Sequence, residues 1–257
     1  MKKKWLEKTI EISFLIMNGK ININNTKIVI LCGGLGSRLA EETKLIPKPM
    51  VKIGNTPIIS HIIKIYENYG FKNFILATGY KSKILEKYFI KKKNVKCVFT
   101  GDKTLTGGRL LRLKKYFKKN ENFMLTYGDG LTNQNIKKLF KFHLNHKKIA
   151  TLTAVKPPAR FGALSLQFNR VSKFEEKPQL SKNWINGGFF VFNYQIFNLI
   201  SGDRIMLERE PIISLVKLKQ LMAFKHHGFW QCMDTLRDKE LLEKMIKYKK
   251  NPWNNPK

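Results

Sequence analysis

Acidic residues are scarce in this chain of 257 residues, and so are cysteines. The 18 aspartates and glutamates are outnumbered by 49 lysines and arginines, which leaves a formal net charge of +31. No apolar run reaches the ~20 residues that a membrane-spanning helix needs. The three cysteines form no CxxC pair and no metal-ligand spacing, so a cysteine-based metal site is excluded and a reducing cytoplasm is expected.

The excess of positive charge is typical of proteins that bind nucleic acid or an anionic membrane surface. Here, however, the lysines are spread along the whole chain, beside abundant isoleucine, asparagine and phenylalanine. That pattern indicates a compositional bias in which lysine fills solvated faces, so we expect no nucleic-acid and no membrane partner. A basic nucleic-acid binder is the competing class, and it predicts tight, salt-dependent binding to DNA or RNA.

Short apolar runs alternate with amphipathic segments after residue 26, which predicts an α/β fold. We expect one domain over residues 27–257, with a small β-hairpin as an elaboration, and an extension over 1–26 that is helical or disordered or reflects a true start at Met17. Strands are predicted at 27–31, 74–78, 95–100, 123–127, 150–155 and 187–192, a hairpin at 163–168 and 171–175, and helices at 56–70, 82–89, 133–146, 195–201, 209–220 and 236–247.

The segment that follows the first predicted strand is rich in glycine and reads Leu31-Cys-Gly-Gly-Leu-Gly-Ser-Arg38. Glycines let an anion approach consecutive backbone N–H groups closely. A Walker A loop is excluded because Gly-Lys-Ser/Thr is missing, and a Rossmann fingerprint is excluded because Leu39 stands at its third glycine. Arg38 offers a forked donor to phosphate oxygens, and Lys48 is held between two prolines. A phosphate site is therefore predicted, with a plain turn as the alternative.

Two aspartates lie where predicted elements meet loops. Asp129 follows a strand in Tyr127-Gly-Asp-Gly130, and Asp234 precedes the last helix. Carboxylates suit Mg²⁺, which also takes phosphate oxygens. From spacing alone, Asp129 could equally be a turn residue and Asp234 a helix N-cap.

Together these motifs resemble those of the sugar-1-phosphate nucleotidylyltransferases, over roughly Lys27 to Trp253. The resemblance implies a Rossmann-like three-layer α/β/α fold with a mixed, mostly parallel central sheet. It rests on the order and combination of motifs more than on any one of them. The motifs that extend it beyond the glycine loop are Pro47–Met50, Thr106–Leu110, Tyr127–Gly130, Arg160–Leu164, Phe174–Pro178, Trp184–Val191 and Phe229–Asp238.

Within the family the motifs are most similar to the branch that joins CTP and glucose 1-phosphate into CDP-glucose and pyrophosphate. The resemblance implies catalytic roles for Arg38 and Lys48, a Mg²⁺ site at Asp129 and Asp234, and a homo-oligomer. The implied nucleotide contacts are Leu31, Cys32, Gly33, Gly34, Leu35, Gly36, Ser37, Arg38, Thr104, Arg109 and Gly128, and the implied sugar-phosphate contacts are Lys48, Glu176, Lys177 and Asn186.

The chain also departs from the family pattern. The stretch 90–102 is shorter, which would affect subunit contacts or closure over the nucleotide, and Cys232 stands where the family has proline. A thymidylyl- or uridylyltransferase and a non-catalytic sugar-nucleotide sensor are the alternatives. Pro49 disfavours the thymidylyl branch, which carries glutamine after its lysine. The retained Arg38, Lys48 and two aspartates argue against a sensor.

Overall fold

The computed structural model describes residues 23–157, 163–175 and 183–254. Most of the predicted extension, residues 1–22, lies outside these ranges. The helices α1 to α7 of the described residues are Ala40–Thr43, Ile58–Glu67, Ser82–Phe89, Thr106–Arg112, Ile136–His146, Glu210–Lys217 and Leu236–Lys247. The strands β1 to β13 are Lys27–Cys32, Lys52–Ile53, Thr56–Pro57, Asn73–Thr78, Val95–Phe99, Asn122–Tyr127, Gly130–Thr132, Ala150–Val155, Ala163–Gln167, Arg170–Glu175, Ile185–Asn193, Leu221–His226 and Trp230–Cys232.

Seven of these strands form the central sheet, in the order β12-β8-β11-β6-β1-β4-β5. Strand β11 runs antiparallel to both of its neighbours, and the other paired neighbours in the sheet run parallel. The predicted mixed, mostly parallel sheet is therefore confirmed. Because six strands point the same way, their carboxyl ends meet at one edge, where α/β folds bind ligands. Strands β9 and β10 form a separate antiparallel hairpin, as predicted.

Strand β1 lies inside the sheet and is apolar on both faces. Ile28 and Ile30 pack into a core that includes residues of α2, α5 and α7, whereas Val29 and Leu31 pack into a second core with residues of α4 and α6. Alternate side chains of a strand point to opposite faces, so a continuous apolar run suits a strand covered on both sides. Helices on both faces of the sheet confirm the three-layer architecture.

Several elements differ from their sequence-based prediction. Strand β12 of the central sheet and the short elements α1, β2, β3, β7 and β13 were not predicted, and β3 lies at the start of the helix predicted over 56–70. The segment predicted as a helix over 195–201 is a 3-10 helix over Tyr194–Leu199. Helix α4 was not predicted, because the consecutive Gly107 and Gly108 disfavour a helix by intrinsic propensity. Tertiary packing overrides that propensity, since both glycines are buried against the loop at Asp203–Leu207.

The C-terminal tail contains a 3-10 turn at Pro252–Asn254. Its Trp253 is buried, stands edge-on to His61 and contacts Phe229. These contacts fix the end of the described chain against α2. Among residues 23–157, 163–175 and 183–254, no helix has the length and hydrophobicity of a membrane span.

Candidate active site

A cleft of about 1570 Å³ opens at the carboxyl edge of the sheet. Small-molecule sites usually occupy about 300–1,000 Å³, so this cleft has room for two substrates. It is lined by the glycine loop after β1, by residues after β6, by the start of β11 and by the segment around β13. The predicted site residues among its lining are Leu31, Cys32, Gly33, Gly34, Gly36, Ser37, Arg38, Lys48, Thr104, Arg109, Gly128, Asp129, Asn186 and Asp234.

The glycine loop joins β1 to a 3-10 turn at Ser37–Leu39, and α1 follows directly. Thr43 of α1 donates its hydroxyl to the carbonyls of Gly36, at 3.2 Å, and Leu39, at 3.0 Å. Within the described residues, the N–H groups of Gly34 and Leu35 donate no backbone hydrogen bond. The hydroxyl of Thr43 thus stabilises the loop, and the N–H groups of Gly34 and Leu35 are available to an anion.

Arg109 of α4 lies behind this loop and is only 4% exposed. Its guanidinium donates to the carbonyls of Gly33 at 2.7 Å, Thr78 at 3.1 Å and Gly101 at 2.6 Å, and to the hydroxyl of Thr100 at 2.9 Å. A Cβ at Gly33 would stand 2.1 Å from the guanidinium, so only glycine permits this close approach. Arg109 therefore fastens the glycine loop to the ends of β4 and β5, and its predicted contact with the nucleotide remains a prediction.

Lys48 lies between the two predicted metal ligands. Its Nζ is 2.6 Å from Asp129 Oδ2 and 2.6 Å from Asp234 Oδ1. Burial alone would lower the pKa of the Lys48 ammonium, but the ion pairs with both carboxylates outweigh it and raise that pKa above its ordinary value. Arg38 Nη1 approaches the other oxygen of Asp234 at 2.8 Å, and its side chain is otherwise 74% exposed. Four residues predicted from separate motifs thus meet in one charged cluster.

Strand pairing brings the two carboxylates together. Asp129 lies between β6 and β7, Asp234 follows β13, and β7 pairs with β13 through Gly130 and Cys232. The backbone N–H of Met233 also donates to the carbonyl of Asp129 at 2.9 Å. Next to Asp234, Thr235 and Asp238 form a reciprocal capping box that starts α7. The strand pairing therefore fixes the backbone at both aspartates, and the helix cap also holds the backbone of Asp234.

The described residues contain no group of three or more His, Cys, Asp or Glu side chains that could hold a metal ion. Two carboxylates that share one ammonium nevertheless make a donor set suited to Mg²⁺. This ion commonly uses one or two carboxylates and completes its coordination with water and substrate phosphates. The donor set therefore fits a magnesium ion that arrives with a nucleotide.

The predicted sugar side of the cleft is described only in part. Asn186 of β11 lines the cleft, and its Oδ1 accepts the N–H of Gly188 at 2.9 Å. Thr104 and Gly128 also line the cleft, and their predicted contacts with the nucleotide remain predictions. Glu176 and Lys177 lie outside the described residues, so their predicted contacts with the sugar phosphate stay predictions.

The cysteines near the cleft are poor nucleophiles. Burial raises the pKa of the Cys32 thiol well above its ordinary value. Burial and Asp234 raise the pKa of the Cys232 thiol to about 12. Both are therefore neutral thiols at pH 7, whereas the thiolate is the reactive form. Cys232 Sγ lies 3.8 Å from Asp234 Oδ2, so the residue that replaces the family's proline contacts the predicted metal ligand.

Sequence reasoning missed a further carboxylate in the cleft, that of Glu208. Glu208, in the loop before α6, accepts hydrogen bonds from the hydroxyls of Tyr127 and Thr106. Both donors belong to motifs that supported the family resemblance, but Glu208 lies in no such motif. No sequence signal distinguished it from a solvated glutamate.

Trp230 also lines the cleft, and its indole N–H donates to the carbonyl of Gly187 at 2.7 Å.

Comparison with known proteins is consistent with this geometry. A family model described as nucleotidyl transferase matches residues 27–235. The chain is 46% identical to the glucose-1-phosphate cytidylyltransferase of Salmonella typhi, over 88% of this chain and 98% of the relative. It is 32% identical to the mannose-1-phosphate guanylyltransferase catalytic subunit beta of Drosophila melanogaster, over 88% and 63% of the two chains. Among solved structures, HddC from Yersinia pseudotuberculosis shares the fold, with a TM-score of 0.69 at 24% identity over 86% of this chain and 99% of HddC.

Proposed function

Because the chain belongs to the nucleotidyl transferase family, we propose that it transfers the cytidylyl group of CTP to glucose 1-phosphate and releases pyrophosphate. The Salmonella typhi relative is named for that reaction. The observation that carries the proposal is the cluster of Lys48, Asp129 and Asp234 beside the glycine loop. It offers a fixed cation and two carboxylates that would hold a metal ion where two phosphates would meet.

The reaction demands little covalent chemistry from the protein. An oxygen of the sugar phosphate attacks the α-phosphorus of CTP in line, a new P–O bond forms, and pyrophosphate leaves with the electrons of the broken bond. Both reactants are anions, so they must be aligned and their mutual repulsion must be neutralised. Fixed cations perform that task without a protein nucleophile, in agreement with the neutral thiols of Cys32 and Cys232.

Each predicted residue has a role in this scheme. Backbone N–H groups of the glycine loop and the guanidinium of Arg38 would bind the triphosphate. Lys48 would contact the phosphate at the reacting centre. Thr104, Arg109 and Gly128 are proposed on the nucleotide side. Glu176, Lys177 and Asn186 are proposed on the side of the glucosyl phosphate.

Asp129 and Asp234 would hold Mg²⁺, which would neutralise charge on the triphosphate and polarise its α-phosphorus. Lys48 pairs with the same two carboxylates, and its positive charge relieves the repulsion between them.

A nucleotide screen tests the proposal. Pyrophosphate release should be measured with glucose 1-phosphate, Mg²⁺ and each of CTP, UTP, dTTP and GTP, and we expect CTP to give the largest kcat/KM. Equal or faster turnover with UTP or dTTP would contradict the cytidylyl assignment. GTP with mannose 1-phosphate belongs in the same screen, because a relative is named for that pair. Light scattering would check the proposed homo-oligomer.

A further inference from the structure

The loop that carries Glu208 is docked on the start of α4. The N–H groups of Leu105 and Gly107 donate to the carbonyls of Asp203, at 2.9 Å, and Ile205, at 3.0 Å. A Cβ at Gly108 would lie 2.3 Å from the carbonyl oxygen of Asp203, so the loop can approach only a glycine. The two glycines after Thr106 thus allow a neighbouring loop to pack, and that loop holds Glu208 at the cleft.

Both carboxylate oxygens of Glu208 have a donor from a different side of the cleft. The Thr106 hydroxyl donates to Oε2 at 2.6 Å and accepts the N–H of Leu207 at 2.9 Å, which fixes its direction. The Tyr127 hydroxyl donates to Oε1. Burial and the adjacent Glu208 raise the pKa of this phenol, so it keeps its proton. The carboxylate is thereby oriented from two directions.

Each oxygen of an ionised carboxylate can accept more than one hydrogen bond. Glu208 lines the cleft together with Met206, Thr106 and Tyr127. Its carboxylate oxygens can therefore accept a further hydrogen bond from a substrate in the cleft. A negative charge at this place would repel phosphate. The substrate groups that suit it are neutral donors. In this reaction those are the hydroxyls of glucose and of ribose, and the amino group of cytosine, whose replacement is tested by UTP in the nucleotide screen.

We propose that Glu208, oriented by Tyr127 and Thr106, accepts a hydrogen bond from a sugar hydroxyl of one substrate and so determines specificity for that hydroxyl. This inference rests on the proposed function, because it presumes that two sugars enter the cleft. Tyr127 and Thr106 are its positioning residues. The contribution resembles other sites built to hydrogen-bond a substrate hydroxyl, which discriminate against analogues that lack it.

Deoxy substrates test the inference. kcat/KM should be measured for the wild type and for Glu208→Gln with the 2-, 3-, 4- and 6-deoxy forms of glucose 1-phosphate, and with 2′- and 3′-deoxy-CTP. We expect one analogue to lower the wild-type value about 10- to 100-fold, as for a lost hydrogen bond to a charged group. The same analogue should lower the Glu208→Gln value less than about twofold. The analogue that shows this coupling identifies the sugar.

Two controls separate this role from a structural one. Glu210→Gln changes an exposed carboxylate of α6 in the same part of the chain and should keep the wild-type analogue profile. Tyr127→Phe keeps the Glu208 carboxylate but removes one of its two donors, so it should weaken the discrimination without abolishing it. This variant also serves if Glu208→Gln does not fold, as judged by circular dichroism.

Specific outcomes would overturn the inference. If Glu208→Gln lowers kcat/KM by the same factor for every analogue, Glu208 only supports the fold of the cleft. If no deoxy analogue is discriminated by the wild type, no hydroxyl is recognised by this carboxylate. Failure of the wild type to turn over CTP with glucose 1-phosphate contradicts the proposed function instead, so the two failures are distinguishable.

Discussion

The two edges of the central sheet carry polar networks of opposite character. At the carboxyl edge, Arg38, Lys48, Asp129 and Asp234 form a charged cluster that lines the cleft. At the amino edge, His143 is 2% exposed and shares hydrogen bonds with the Thr151 hydroxyl, at 2.9 Å, and Asn122 Oδ1, at 3.2 Å. The carboxyl-edge cluster is charged and in contact with solvent, whereas the amino-edge network is neutral and buried.

This difference separates a network built for ligands from one built for stability. Charged side chains in a cleft contribute most to binding, when a substrate of opposite charge enters. Ion pairs that stay exposed to solvent add little to the free energy of folding. A buried neutral network stabilises the fold only if each member keeps its partner. Four predictions test this division, from the largest expected effect to the smallest.

Removal of a carboxylate from the charged cluster should affect turnover far more than folding. We expect Asp129→Asn and Asp234→Asn each to lower kcat about 10³-fold, comparable to the loss of a main transition-state contact. Lys48 keeps one carboxylate partner in each variant, so the melting temperature should change little. Pyrophosphate release and thermal unfolding measure the two effects, and Glu243→Gln on α7 is the matched control. Unchanged turnover would remove the metal-binding role.

Arg109 lies at the carboxyl edge but is buried, like the amino-edge network. We expect Arg109→Met to lower the free energy of unfolding by about 3 kcal/mol, because several buried oxygens lose their donor. The KM for CTP should also rise as the glycine loop loosens. Urea denaturation and steady-state kinetics measure both. Arg112→Met on the same helix breaks only an exposed ion pair with Asp203 and should lower the free energy of unfolding far less. Equal losses in the two variants would contradict the role of Arg109.

The amino-edge network should make stability depend on pH. Burial, with a smaller effect from His146, lowers the pKa of His143 from its ordinary 6.5 to about 3. The unfolded chain therefore binds a proton at this residue between these values while the folded chain does not. Stability is present above about pH 6.5 and is lost as the pH falls toward 3.

One group of this kind contributes up to about 1.4 kcal/mol per pH unit within that window. His143→Gln keeps a polar side chain but cannot titrate, so its stability should fall less steeply with acid than that of the wild type. Urea denaturation at several pH values measures the difference in slope between the two proteins. Parallel curves would show that His143 does not remain neutral in the folded state.

The two edges also differ in how far the sequence predicts them. The glycine loop and Lys48 were predicted as a phosphate site from short local patterns. The metal role of the two aspartates was implied by the family resemblance, because spacing alone left a turn residue and a helix N-cap open. Glu208 was not predicted, because its place depends on a loop that packs against Gly108 from a distant part of the chain. The partners of His143 depend on the register of β6 and β8 around β11, which no local pattern reports. Local chemistry was predictable, whereas contacts set by tertiary packing were not.

The smallest effect is expected at Cys232, which lies beside the charged cluster without a charge of its own. Its pKa of about 12 leaves little thiolate at pH 7, and serine keeps a donor that can face Asp234. Cys232→Ser should therefore change kcat/KM less than about twofold, the range of substitutions outside special features. The wild type should likewise keep its activity after treatment with iodoacetamide at pH 7. Inactivation that substrate prevents and that Cys232→Ser abolishes would mean that the thiol is reactive and lies within the bound site. In that case the cysteine that replaces the family's proline would have a functional role of its own. Otherwise Cys232 is a neutral side chain that leaves the position of Asp234 unchanged.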